Sequence, residues 1–185
     1  MKGVLRAGLV SGTIHIVADV IAQSIETIVS GEAVALESHD VARTQRFAIL
    51  GATLHGPYFF KGFAMVDKKF GTPKNMATVL KKTAATQIFV NPPYLLLLFT
   101  YLGALEGKAW PGEIMDSVKD KIVPAFWAGN VFWPVANFIN FRFVPPQHRV
   151  AYVASCGAMW NTFISMLNKA RSRGEGAGPT AGVTT

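Results

Sequence analysis

Three stretches of this chain run for 22, 20 and 19 residues without a charged side chain: 84–105, 122–141 and 150–168. A helix rises about 1.5 Å per residue, so about 20 apolar residues cross a hydrocarbon core of about 30 Å. The last two stretches are joined by a short loop carrying Arg142, Pro145, Pro146 and Arg149, and they read as a membrane hairpin. Asn130, Asn137, Asn140 and Asn161 lie inside them. Amides at that depth need partners on other helices, so the hairpin belongs to a bundle. Charged residues make up only 16% of the chain, against about 25% in soluble domains.

Upstream, the spacing predicts a first helix over Val4–Val29. Gly8 and Gly12, followed by Ala18 and Ala22, suit close helix approach. His15, Asp19, Gln23 and Glu26 follow at steps of four, four and three and share one face. A strip of that polarity cannot face lipid. Either it lines a hydrated path, or His15 and Asp19 pair with each other or anchor another helix. A second span is expected from Arg46 to Val66, weakened by Gly51, Gly56 and Pro57. Its His55 is a ligand, a proton carrier or, in the plainer reading, a buried hydrogen-bonded side chain. Lys61 is placed to snorkel. Thr72-Pro73 is expected to cap the helix that runs into the third span. That span begins with Gln87 and Asn91 on one face and kinks at Pro92 and Pro93. In the fourth span Asn130 and Asn137 share a face, and Pro134 interrupts the ladder beside them. Trp127 and Trp133 read as packing or interface anchors, and Cys156 as a small apolar filler.

The expected fold is therefore all-α: an integral membrane bundle of four to five hydrophobic helices with proline-kinked spans. One transmembrane domain occupies 1–169, and 170–185 reads as a flexible tail. If His15, Asp19, Gln23, Gln87, Asn91, Asn130 and Asn137 converge inside, they line a narrow aqueous route or bond the helices together.

The formal charge of +7 does not point to nucleic acid, because the basic residues sit in loops between apolar runs. Lipid phosphates account for them more simply, with Lys81, Lys82, Arg142 and Arg149 as headgroup contacts and an anionic phospholipid such as cardiolipin as the partner; Arg142 and Arg149, at the hairpin end, are expected to cap helix carbonyls as well. The loop from Asp67 to Lys82 is the most basic. Lys and Arg nevertheless divide nearly equally between the two sides, so they set no orientation. One cysteine excludes an intramolecular disulfide framework. The chain has no Gly-rich phosphate loop, no His-x-x-x-His or Cys-x-x-Cys spacing and no Gly-x-Ser-x-Gly elbow. Neither an enzyme, a metal site nor a cofactor is expected.

The run Trp133-Pro134-x-x-Asn137-x-x-Asn140-Phe141-x-x-Val144-Pro145, then Arg149, then Trp160-Asn161-x-x-x-Ser165, resembles the signature of the Mpv-seventeen / peroxisomal membrane protein twenty-two family. Asp19 and Gln23 are similar to its first-span Asp-x-x-x-Gln, and Gly51, Gly56-Pro57 and Asp67 to its second-span pattern. Lys81-Lys82, Gln87 and Pro92 resemble the opening of its third span. The likeness covers about residues 8–168. It implies a small four-span, channel-like protein of the mitochondrial inner membrane, with the peroxisomal membrane as the alternative. Three departures stand out. The family's amphipathic leader is missing before Val4, Thr86 occupies the place of an acidic residue, and Gly62-Phe63 replaces Trp-Tyr. They leave room for a second expectation, a non-transporting subunit of a larger inner-membrane complex. A homo-oligomer is the other protein partnership left open.

Overall fold

The computed structural model describes residues 2–30, 39–72 and 75–176, with the side chains of Ser30 and 163–176 outside the description. Glu32, Glu37, Lys74, Pro73 and the chain after Gly176 thus lie outside the described residues. Among the described residues seven α-helices follow one another: α1 (Lys2–Ser30), α2 (Val41–Leu50), α3 (Gly56–Phe70), α4 (Met76–Ala85), α5 (Asn91–Leu105), α6 (Gly112–Phe143) and α7 (Arg149–Gly176). No strand occurs among the described residues.

Two pairs are single rods in which a π turn joins the parts: Gly51–His55 links α2 to α3, and Thr86–Val90 links α4 to α5. Each π turn sits directly ahead of proline. Pro57 and Pro92-Pro93 donate no backbone N–H, and their rings push away carbonyls one turn back. The chain responds by widening: the Gly56 N–H reaches Gly51 O and the Asn91 N–H reaches Thr86 O, five residues back. At both of these expected proline irregularities the helix widens into a bulge, a geometry frequent at functional sites. Pro134, with no N–H, leaves its bond of the ladder unmade, yet α6 continues through both Pro124 and Pro134. The cap of α4 is Asn75, whose side chain accepts the Thr78 N–H, and not the expected Thr72-Pro73. Helix α7 continues to Gly176, past the point where the sequence places the start of the tail.

Three helices, Lys2–Val29, Met76–Leu105 and Gly112–Phe143, are long and apolar enough to cross a membrane. Their outward faces are apolar. Leu5, Leu9, Val17, Ile21 and Ile28 on α1 are 51–67% exposed. Ile88, Phe89, Val123, Trp127 and Val131 continue that wall on the π turn and α6. Polar side chains point inward: Asp19 is 5% exposed, Asn137 1% and Asn140 0%. A surface this greasy around a polar interior is stable only when lipid is the solvent. The chain is an all-α membrane bundle.

The helices run up and down in order. The "upper" end is taken here as the end where α1 leads to α2 and α5 to α6, and the "lower" end as the opposite one. The apolar core fills the lower half, where Phe59, Phe63, Val79, Val90, Phe141 and Val153 pack together. Helix α1 lies directly on the α2–α3 rod through glycine. A Cβ added at Gly51 would lie 2.9 Å from Gly12 Cα, and one at Gly56 would lie 2.7 Å from Gly8 Cα.

Candidate functional site

Above the apolar core the helices part around a cavity of about 440 Å³. Every rod of the bundle contributes to its wall, which is largely apolar, with Leu95, Leu98, Phe99, Phe126 and Trp133 among its residues. Its polar lining comes from His15 on α1, His55 on the first π turn, Gln87 on the second, Asn91 and Tyr94 on α5, and Asn161 on α7. Exposed Asp120 and Lys121 stand at its upper rim. The two π turns explain how His55 and Gln87 reach the same space, since each bulge rotates one residue out of the regular helical register.

The histidines share one serine. Ser11 Oγ lies 3.0 Å from His55 Nδ1, and His15 Nδ1 donates to the Ser11 carbonyl at 2.8 Å. That bond places the hydrogen of neutral His15 on Nδ1 and makes Nε2 the acceptor. The two rings are 4.8 Å apart between centroids, and His55 also meets Phe59 and Tyr94. On the opposite wall the Asn91 amide donates to Gln87 Oε1 at 2.8 Å, and the Gln87 amide donates to Asn130 Oδ1 at 2.6 Å. This relay joins the second π turn to α6.

Asp19 stands apart from the large cavity. With His15 and Asn161 it lines a neighbouring pocket of about 20 Å³, the size of one water. His15 and Asn161 are walls of both spaces. The carboxylate of Asp19 accepts from Arg43 Nε at 2.8 Å, from the Thr44 hydroxyl at 2.6 Å and from the Gln23 amide at 2.8 Å. Arg43 also forks onto Glu26 at 3.0 and 3.1 Å, and Gln23 Oε1 accepts the Asp40 N–H. Asp19, Gln23 and Glu26 therefore fasten α2 to α1. His15 and Asp19, neighbours on one helix face, bond to different partners.

A third polar cluster closes the lower end. Asp67 at the end of α3 accepts from Lys82 Nζ at 2.7 Å and from Arg149 at 2.8 Å through both of its oxygens. The side chains of Lys82 and Arg149 are 0% and 3% exposed, and both cations lie over the Phe141 ring, 5.7 and 5.1 Å from its centre. These two residues were expected at the headgroups. The structure corrects the headgroup contact, because a buried cation must be paired and the acid facing them is Asp67, while the expected capping holds for Arg149, whose Nε donates to the Val144 carbonyl at the end of α6 at 3.2 Å. Lys81 and Arg142 are exposed, Arg142 against the Phe143 ring.

The expected polar set thus divides. His15, Gln87 and Asn91 meet at the cavity, and Asn130 stands behind Gln87. Asp19 and Gln23 form a separate clamp. Asn137 is buried with neither end of its amide bonded. Among the signature residues, Gly56 and Pro57 form the α1 contact and the first bulge, and Pro92 forms the second. Trp133, Trp160 and Asn161 line the cavity, with the Trp160 ring stacked on Phe132 at 5.0 Å. Pro134 sits within α6, Phe141 and Arg149 belong to the lower cluster, Asn140 is fully buried and Pro145 precedes α7. Sequence reading overlooked Arg43, Thr44, Ser11 and Tyr94. Asp67 gave the one available signal, being the single acid in a basic loop. Among the described residues no group of three or more His, Cys, Asp or Glu is placed to hold a metal.

At the upper end the loop between α5 and α6 is held by Glu106, which pairs with Lys108 at 2.7 Å. That hydrogen bond first, with the added fields of Lys121 and Arg46, keeps the Glu106 carboxyl below the ordinary glutamate value although partial burial works against it. A depressed carboxyl stabilises the fold above its unfolded pKa, and the contribution is lost as pH falls through the folded value. Acidification below about pH 4.3 should therefore loosen residues 106–111. Limited proteolysis at the loop across that range checks it, and Glu106→Gln should flatten the acid side of the profile. The effect is small because the pair is partly exposed.

The model of the Mpv17 / PMP22 family matches residues 103–165. The chain is 28% identical to PXMP2/4 family protein 4 of Dictyostelium discoideum over 165 residues, 89% of this chain and 86% of that protein. It is also 28% identical to Protein sym1 of Aspergillus oryzae over 165 residues, covering 89% and 90%. It shares 27% identity with the mitochondrial inner membrane protein Mpv17 of Drosophila melanogaster, covering 71% and 79%. No solved structure matches.

Proposed function

We propose that the chain is a member of the Mpv17 / PMP22 family in the mitochondrial inner membrane, as the family match and the relatives' names support, and that it provides a narrow route for small polar solutes through its central cavity. The carrying observation is the cavity itself. About 440 Å³ of space opens among the rods of the bundle, and its wall brings together two buried histidines, Gln87, Asn91 and Asn161. Polar groups at membrane depth that surround open space can replace part of a solute's hydration shell. Through His15 and Asn161 the cavity adjoins the Asp19 pocket, so the polar lining extends toward the upper end. A mostly apolar wall with few hydrogen-bonding groups favours low throughput.

Planar bilayers containing the purified chain should carry discrete unitary currents. Gln87→Leu, which removes the amide joining Asn91 and Asn130 at the wall, should reduce their amplitude severalfold while the protein still melts cooperatively. Silent bilayers from folded protein defeat this reading. They would favour the second one, an accessory subunit without transport. A specific feature supports that alternative: two acids bond helices together, Asp19 with Arg43 and Asp67 with Lys82 and Arg149, and neither lines the large cavity. Native gels that place the whole population in one large assembly would accompany it.

A further inference from the structure

Among the described residues the lower cluster sets two cations against one acid. Two buried cations, Lys82 and Arg149, share the single carboxylate of Asp67. An unbalanced buried charge is costly unless something else compensates it. On the α4–α5 rod and α6 lie three polar side chains that find no hydrogen-bond partner among the described residues. Thr86 and Asn140 are 0% exposed and Asn137 is 1% exposed, yet the Thr86 hydroxyl and both ends of both amides are unbonded. Buried polar atoms without partners are uncommon, and each calls for an explanation such as an ion or water.

Their placement is specific. Helices α4–α5 and α6 are cross-linked twice, by Lys82 over the Phe141 ring and by the Gln87–Asn130 hydrogen bond. Thr86 lies between Lys82 and Gln87 on one rod, and Asn137 and Asn140 lie between Asn130 and Phe141 on the other. The unbonded groups are therefore bracketed between the excess positive charge and the cavity wall. Gln87 and Trp133 form that wall, one residue and one helical turn away from Thr86 and Asn137.

We infer that Thr86, Asn137 and Asn140, with the surplus charge of Lys82 and Arg149, form a binding site for a small inorganic anion such as chloride at the lower end of the cavity. A hydroxyl and two amides supply donors, the cationic pair supplies the field, and water held with the ion satisfies the amide oxygens. This deepens the route proposed above, since it gives that route a preference for anions. Exposed Lys81 and Arg142 at the same end raise the local anion concentration.

The test is the unfolding midpoint of the full chain in detergent at constant ionic strength, with gluconate, too large for a buried site, exchanged for chloride. Chloride at about ten times its dissociation constant should raise the midpoint by about 3 °C. Thr86→Asp places a carboxylate in the site and should abolish that rise. Asn140→Leu keeps the volume and removes one unbonded amide. It should leave the midpoint in gluconate unchanged or higher and weaken the chloride effect at least threefold. A midpoint indifferent to the anion in the native chain, or an undiminished chloride effect in the folded variants, overturns the site. Silent bilayers with the chloride effect intact overturn the transport route and leave the site standing. Currents from a chain whose midpoint ignores chloride do the reverse.

Discussion

Replacing Asp67 by asparagine should lower the unfolding midpoint more than any other isosteric change in the bundle. The carboxylate is what makes two buried cations tolerable, and Asn offers only one neutral acceptor in its place. Removing one partner of a buried ion pair costs about 3–5 kcal/mol, because the remaining charge stays desolvated. Here two charges remain, Lys82 at 0% and Arg149 at 3% side-chain exposure. The same cluster predicts an order. Lys82→Met leaves Arg149 and Asp67 as a balanced pair and replaces the alkyl stem, so its loss should be clearly smaller. Melting of the three proteins side by side in detergent checks both statements. An Asp67→Asn protein that melts with the native chain, or below which Lys82→Met falls, would show that the cluster is solvated.

The second large effect is steric. Gly56→Leu should separate α1 from the α2–α3 rod and abolish cooperative unfolding. Even a Cβ at this position would press on the Ala7 carbonyl and stand 2.7 Å from Gly8 Cα. Both are backbone atoms that cannot rotate away. Overpacking a tight core costs about 1–3 kcal/mol for small additions, so Gly56→Ala alone should produce a measurable loss. Two other glycines calibrate it. At Gly3 the obstruction is the end of the Phe60 ring, which can swing, and at Gly112 nothing lies within 4 Å. Alanine at Gly112 should stay within about 0.5 kcal/mol of the native chain. Helix pairs in lipid associate through close backbone approach, not through a hydrophobic drive. For that reason a methyl group here should outweigh many larger changes on the lipid-facing wall.

The cavity shows why some of its lining was legible and some was not. Gln87 and Asn91 stand four residues apart in an uncharged stretch, and amides so placed must face protein. His15 follows from the same logic on α1. Tyr94 and Trp133 gave no such signal, since an aromatic side chain suits lipid, core and cavity equally. Asp19 follows the second of its two expected readings, anchoring another helix, but its partner was not legible. Its depth in the span marks it as inward-facing, yet depth says nothing about which neighbour it meets. Arg43, beyond a loop and outside the uncharged stretches, turned out to hold it.

Sequence alone determined the solvent of this protein and the class of its fold. Long uncharged segments must lie in lipid, and there a backbone can satisfy its own hydrogen bonds only as helix or closed barrel. The amides and acids inside those segments then had to point toward one another. Only the tertiary structure decided the pairings, because helix rotation and register select partners far apart in the chain. Asp67 meets Arg149 across 82 residues and Gln87 meets Asn130 across 43. Proline positions announced irregularity, but packing resolved them into two π turns and a continuous α6. Those choices, made by contacts between helices, placed His55 and Gln87 on one cavity and buried a surplus positive charge beneath it.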